Sequence, residues 1–309
     1  MKALYKRHEL IFKRPSGTSR GVLTSKETWF IILKDDDSVG IGECGLLRGL
    51  SCDDMPAYED KLNWVCKNIS KGLNELILQL TEFPSIQFGL EQAFLSLISK
   101  TNFELFSSHF TQKNKGIPIN GLIWMGSKDF MLAQIEEKLA AGFNCIKMKI
   151  GAIDFNAECS LLAAIRSKYS KEEIELRVDA NGAFTTGDAL QKLEQLSEFD
   201  LHSIEQPIKQ GNWSDMAGLC ANTPLPIALD EELIGVFSIA KKKGALESNI
   251  GLNAIAQWTY TLKNDMPQGL GTGSLFTNNF DSPLKVTAGK LYYKNDLSWQ
   301  IDLIEELCI

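Results

Sequence analysis

The sequence predicts an α+β segment followed by a parallel α/β barrel, and three observations carry that expectation. From Ile117 onward, short apolar runs alternate with amphipathic stretches in five successive strand–helix repeats, the order that builds a parallel sheet with crossover helices. The later runs end in polar residues: Lys147-Met148-Lys149, Asp179-Ala180-Asn181, Glu205-Gln206 and Asp230-Glu231. Polar groups at successive carboxyl ends of parallel strands are what a barrel presents on its functional face. Ahead of Ile117, residues 102–116 are polar and irregular and end in Lys113-Asn114-Lys115-Gly116, a boundary between two regions.

In the first region, residues 3–13 and 28–42 carry strand-like segments, with Lys34-Asp35-Asp36-Asp37-Ser38 as a polar turn between two of them. Helical spacing follows over 54–81, where Trp64, Val65, Ile69, Leu73 and Leu76 recur on one face, and again over 86–99. In the second region the order is strand 117–120, helix 127–141, strand 144–150, helix 154–169, strand 174–179, helix 186–198, strand 201–205, helix 212–221 and strand 226–230. A helix is expected next over 231–243. The domain reading is a capping region over 1–112, a barrel over 113–280, and a return segment over 281–309 that packs on the cap.

Composition excludes several classes. The chain has 309 residues, 44% hydrophobic and 23% charged, with 24 Gly and 9 Pro, which fits neither a collagen-like nor a disordered chain. A formal charge of −7 leaves no basic footprint for nucleic acid. Near the start, the longest apolar run is Trp29-Phe30-Ile31-Ile32-Leu33, far short of the roughly 20 residues of a membrane helix. No secretory leader is expected, because the basic opening Met1–Arg7 is not followed by an apolar stretch. Seven cysteines with no Cys-x-x-Cys pair, beside three histidines, argue against a zinc site and for a reducing cytoplasm. The expected partner is a small-molecule substrate, with neither nucleic acid nor membrane; monomer and homo-oligomer both stay open.

The chemistry lies in the acids and lysines. Asp179, Glu205 and Asp230 each end an apolar run, at intervals of 26 and 25 residues, close to one strand–helix unit of a barrel. Three carboxylates on one rim repel unless a cation lies among them, and ligation by oxygen alone favours Mg²⁺, with Mn²⁺ as the other candidate. Lys147 and Lys149 fall one unit earlier on one strand, so both point to one face and Met148 to the other. The metal and Lys147 would depress the pKa of Lys149 and let it accept a proton. A metal with a lysine base suits removal of a proton α to a carboxylate, since the enediolate formed needs strong electrostatic stabilisation.

These residues match a family. Lys147 and Lys149, then Arg-Val-Asp179-Ala-Asn-Gly-Ala-Phe, Ser-Ile-Glu205-Gln-Pro and Ala-Leu-Asp230-Glu-Glu, in that order, resemble the enolase superfamily over nearly the whole chain. Pro118-Ile-Asn-Gly-Leu-Ile-Trp124, Ala245-Leu-Glu-Ser-Asn-Ile-Gly251 and Gly269-Leu-Gly-Thr-Gly273 further resemble the o-succinylbenzoate synthases of Bacteroidetes-like bacteria. The resemblance implies a modified (β/α)7β barrel behind an α+β cap. It implies a syn dehydration of 2-succinyl-6-hydroxy-2,4-cyclohexadiene-1-carboxylate to o-succinylbenzoate in menaquinone biosynthesis. Lys149 would be base and then acid, Lys147 an electrostatic helper, and Asp179, Glu205 and Asp230 the metal ligands, with Asn181 and Glu231 in support. Ser248, Asn249 and the Gly271-Thr272-Gly273 amides would contact substrate. In the cap, Ser16–Arg20 and Cys44–Leu47 match loops that close over substrate, with Arg20 set to pair with the succinyl carboxylate.

One feature departs from the family, which carries another lysine at the end of its sixth strand. Here the expected helix after Asp230 runs straight into Gly244-Ala245-Leu246, and Lys241, Lys242 and Lys243 lie too close to Asp230 to substitute. The barrel portion, roughly 164 residues, falls below the roughly 200 at the low end for such barrels. The chain therefore reads as one strand–helix unit short near Lys243–Gly244, a segment the natural chain is expected to carry. Two alternatives follow: an N-succinylamino-acid racemase or dipeptide epimerase, which needs that second base, and a non-catalytic metal-binding barrel, if the unit is truly deleted.

Overall fold

A three-stranded antiparallel meander opens the chain: β1 (Lys2–Thr18), β2 (Gly21–Asp35) and β3 (Ser38–Gly45), in the order β1-β2-β3. The computed structural model describes residues 1–18, 21–99, 103–234 and 246–299. The five-residue apolar run in β2 is explained by burial on both faces. Trp29, Ile31 and Leu33 enter the cap core with Leu62 and Leu90. Phe30 and Ile32, on the opposite face of the pleat, pack with Ile250, Phe280 and Trp299 from the far end of the chain.

The 54–81 pattern is not one helix. It breaks into α1 (Tyr58–Lys67), a 3-10 turn at Ile69–Lys71 and α2 (Leu73–Leu78). Asn68 ends α1, its side-chain amide donating back to the Trp64 carbonyl at 2.8 Å, and Gly72 takes a left-handed φ of 79°. The next helix, α3 (Pro84–Ile98), starts on a proline at its first turn, where a missing N–H costs nothing. Among the described residues of the 102–116 stretch one helical turn forms, α4 (His109–Gln112), closed by a Ser108/Thr111 capping box.

α3 lies directly on β3 because glycines let the backbones meet. A Cβ on Gly42 would sit 1.9 Å from the Gly89 carbonyl oxygen. Gly42→Ala is expected to cost about 3 kcal/mol, read as a lowered urea midpoint; an unchanged midpoint would mean the contact is looser than described.

The strand expected at 117–120 divides in two. β4 (Ile117–Pro118) pairs antiparallel with a C-terminal strand, and the parallel sheet begins only at β5 (Gly121–Ile123). The alternation then follows the sequence reading: α5 (Lys128–Ala140), β6 (Cys145–Lys149), α6 (Phe155–Arg166), β7 (Glu175–Asp179), α7 (Ala189–Ser197), β8 (Ser203–Glu205), α8 (Trp213–Asn222) and β9 (Ile227–Ala228). Sheet order is β5-β6-β7-β8-β9, all parallel. The helix-facing side chains of these strands and the inner faces of the helices form one core around Ile146, Met148, Val178 and Ile204, on the opposite face from Lys147 and Lys149.

Among the described residues the parallel sheet stops at β9, whose Ala228 is exposed. The segment after Asp230 begins as a 3-10 turn, Glu231–Leu233, rather than an α-helix. The rest of the expected 231–243 helix and the Lys243–Gly244 junction lie outside the described residues. Further on, α9 (Asn249–Thr261) packs between cap and barrel. The return segment behaves differently from expectation in its first half: β10 (Leu284–Thr287) and β11 (Lys290–Tyr293) form a hairpin on β4, with Leu284, Leu291 and Tyr293 in the barrel core. Trp299 does reach the cap, against Phe103 and Phe30; residues 300–309 lie outside the description. No described helix is long and apolar enough to cross a membrane.

Candidate active site

Strand register alone assembles the centre. Lys149 is paired with Asp179, Asp179 with Glu205, and Glu205 with Ala228, so one row across the carboxyl ends of four strands carries a cation and two acids. Asp230 follows two residues after Ala228, and Lys147 stands one pleat below Lys149 on the same face.

The side chains meet as that row requires. The Lys147 ammonium donates to Glu205 Oε2 at 2.7 Å and lies 3.1 Å from Asp179 Oδ2. Lys149 Nζ donates to Asn181 Oδ1 at 2.7 Å and to Asp179 Oδ2 at 3.4 Å, with the Trp124 ring centroid 5.9 Å away. Asp179 is 2% exposed. Burial alone would raise its pKa, but Lys147 and Lys149 together hold it below the usual carboxylate range. Lys147 mirrors this: burial favours its neutral form, Asp179 and Glu205 outweigh burial, and its pKa is raised.

These groups line a cavity of about 1300 Å³. Asn181, Asp230, Glu231, Trp124, Gly271 and Thr272 border it from the barrel side, and Gly45, Leu46 and Leu47 from the cap. The cap loop at 44–47 is thus over the site, although Cys44 itself is buried in the cap core. Ser16 also borders the cavity; Arg20 lies outside the described residues.

Two expected substrate contacts are placed elsewhere. Ser248 is fully buried, its hydroxyl donating to Glu43 Oε2 at 2.5 Å and its N–H to Glu43 Oε1 at 3.0 Å. Asn249 donates its amide to the Phe280 carbonyl at 2.6 Å and its N–H to Asn279 Oδ1 at 2.8 Å. Both begin α9 at the joint of cap and barrel. Ser248 caps that helix and binds Glu43, while Asn249 ties its first turn to Asn279 and Phe280, so neither borders the cavity.

Sequence reasoning missed three organising residues. Gln206 is fully buried at φ 41°. Its Oε1 accepts from the N–H groups of Asp230 and Glu232, each at 3.1 Å, tying the end of β8 to the Asp230 turn. Trp124 is fixed by the buried Gln134 amide, which accepts from its N–H and donates to its carbonyl, both at 3.0 Å. Glu43 holds the cap–barrel joint. A polar residue inside an apolar strand, as at Glu43 in Gly-Ile-Gly-Glu-Cys, was the available signal for the last.

Does this donor set suit Mg²⁺? Asp179 and Glu205 are matched by two lysines, Lys147 and Lys149, and the further acids lining the cavity, Asp230 and Glu231, leave this rim an oxygen-only donor set with excess negative charge, which suits Mg²⁺. Glu231 Oε2 is buried without a hydrogen-bond partner among the described residues, so acceptor capacity remains at this rim. Asp230 stands at the end of the neighbouring strand, but among the described residues no three acids form a ready-made metal cluster. The fit therefore rests on Asp179 and Glu205, with Asp230 as the third donor to be drawn in.

A cap meander, a parallel α/β sheet and a row of lysine and acids at its carboxyl rim define a protein of the enolase-like class. The family described as Enolase C-terminal domain-like matches residues 131–243. A curated o-succinylbenzoate synthase of Desulfotalea psychrophila is 44% identical, across 94% of this chain and 98% of the relative. The crystal structure of a MenC from Desulfotalea psychrophila LSv54 superposes with a TM-score of 0.80 at 40% identity, covering 94% of this chain and 99% of that one. An o-succinylbenzoate synthase from Thermosynechococcus elongatus BP-1, described as complexed with Mg in the active site, shares the fold at TM-score 0.70 and 21% identity, over 87% of this chain and 92% of that one. The chain belongs to the o-succinylbenzoate synthases, a dehydratase family of the enolase superfamily. The alignment with the curated relative runs over 362 positions, more than this chain has residues. The relative therefore carries internal sequence that this chain lacks.

Proposed function

We propose that this chain dehydrates 2-succinyl-6-hydroxy-2,4-cyclohexadiene-1-carboxylate to o-succinylbenzoate in menaquinone biosynthesis, with Lys149 as base and then acid. The observation that carries the reading is the placement of Lys149: in register with Asp179, bonded to Asn181, and bordering the cavity beside an aromatic wall. Asp179, Glu205 and Asp230 would hold Mg²⁺, with Mn²⁺ as an alternative. Bound there, the ion supplies positive charge to the substrate carboxylate and makes the adjacent C–H more acidic.

Neutral Lys149 takes the proton α to the ring carboxylate, and the electrons of that C–H bond move toward the carboxylate. As they return, the bond to the hydroxyl on the neighbouring carbon breaks. The Lys149 ammonium gives its proton to the departing oxygen, so water leaves, the ring becomes aromatic and Lys149 ends neutral. Removal and return on the same face need one base only. Lys147 keeps its charge throughout and offsets negative charge on Asp179 and Glu205. Gly271 and Thr272 border the cavity where backbone amides suit the second carboxylate.

The test is turnover of the cyclohexadiene substrate, followed by product absorbance, before and after chelation. Activity is expected to vanish with chelator and to return with Mg²⁺. Full turnover in chelator, or none with Mg²⁺ present, overturns the reading.

A further inference from the structure

We propose that Glu231 is a positioning residue for Lys149, acting through the side-chain amide of Asn181; this rests on the reading of Lys149 as the base. The three groups form a chain. Lys149 Nζ donates to Asn181 Oδ1 at 2.7 Å, and Asn181 Nδ2 donates to Glu231 Oε1 at 3.1 Å. A carboxylate can only accept, so Glu231 dictates which way the amide points, and Asn181 Oδ1 is left to accept from Lys149 whether that amine is charged or neutral. Turned over, Asn181 would set its oxygen against a carboxylate and its NH₂ against the Lys149 amine.

The backbone of Asn181 is already fixed. It holds a left-handed φ of 45°, Gly182 follows at 76°, and its N–H donates to Asp179 Oδ1 at 3.0 Å. The freedom left is rotation of the amide, and Glu231 decides it. Glu231 is only 7% exposed, yet its Oε2 has no hydrogen-bond partner among the described residues. A carboxylate buried half-satisfied costs stability, as expected of a side chain kept for the site rather than for the fold.

The test exchanges the polarity of the pair in the full chain. In N181D two carboxylates face one another. In N181D/E231Q, Gln at 231 donates to Asp at 181, which accepts from Lys149, with net charge as in the parent. The kcat for dehydration is expected to fall about thirtyfold in N181D and to recover about tenfold in the double variant. Both should show KM within about threefold of the parent, and a Mg²⁺ requirement within about twofold. A double variant no faster than N181D overturns the proposal, as does a loss traced wholly to weaker Mg²⁺ binding.

A second readout is independent of turnover. The rate at which an amine-acetylating reagent modifies Lys149, read by peptide mass spectrometry, should rise about threefold in E231L, with Lys147 as internal control. An unchanged Lys149 rate overturns the proposal. If the parent chain shows no dehydration but Lys149 responds in this way, the dehydration reading fails and the positioning role stands.

Discussion

Lys149→Ala is expected to lower kcat for dehydration by about three orders of magnitude or more while leaving the fold intact. In the proposed mechanism one side chain both removes and returns the proton, so its loss would act on both bond changes. The fold has little stake in it. Lys149 reaches out at the carboxyl end of β6, touching Asn181, Asp179 and the Trp124 ring, while Ile146 and Met148 carry the core contacts of that strand. Lys149→Arg separates charge from proton transfer: it keeps a cation beside Asp179 but cannot release a proton at neutral pH, so it should be as inactive as the alanine variant. Stopped assays with circular-dichroism melts check both claims. An active arginine variant would make the charge, not the proton, the contribution of this position.

Lys147→Ala is a different perturbation. Lys147 lies within 3.1 Å of both Asp179 Oδ2 and Glu205 Oε2. Its removal leaves two acids facing each other across one pair of strands, so loss of activity there speaks to electrostatics rather than to the base.

The row of candidate residues was legible because barrels repeat. Each strand ends on the same rim, so Lys149, Asp179, Glu205 and Asp230 announce themselves by type and by an interval of about one strand–helix unit. Register then places Lys149 beside Asp179 and Asp179 beside Glu205 without further information. The expectation of a short barrel came from the same repeat, since a unit that fails to recur shows as missing length; the stretch it concerns, 235–245, lies outside the described residues.

Features set by distant partners were not legible. Ile117-Pro118-Ile119 reads as a first barrel strand, but its leading residues pair with Leu291 and Lys290, more than half the chain away. Ser248 and Asn249 look like polar residues after a strand, and only the approach of Glu43, Asn279 and Phe280 shows their groups to be spent on a helix start. The 54–81 pattern keeps helical spacing through Gly72, whose left-handed φ is a local backbone choice that apolar periodicity does not register.

Glu43→Ala is expected to destabilise the protein by about 4 kcal/mol, through the joint between cap and barrel. Glu43 is wholly buried on β3, and its carboxylate accepts four hydrogen bonds. Oε1 takes the Thr28 hydroxyl at 2.9 Å and the Ser248 N–H at 3.0 Å; Oε2 takes the Ser248 hydroxyl at 2.5 Å and the Gly251 N–H at 2.9 Å. Two of those donors are backbone N–H groups in the first turn of α9, which have no partner within the helix, and the negative charge meets the positive end of the helix dipole. A side chain from the cap thus terminates a helix that begins the last part of the barrel. Truncation leaves the Ser248 N–H, the Ser248 hydroxyl and the Gly251 N–H without this acceptor in a buried void, while the Thr28 hydroxyl keeps the Cys44 carbonyl. Glu43→Gln keeps the volume but turns an NH₂ group toward donors, so about half the loss is expected. Ser248→Ala removes one donor and leaves the carboxylate three, so it should cost the least of the three, about 1 kcal/mol. Urea unfolding of the three variants orders them. A Glu43→Ala chain within about 1 kcal/mol of the parent would show that the apolar contacts of Phe30 with Phe280, and not this buried charge, hold cap to barrel.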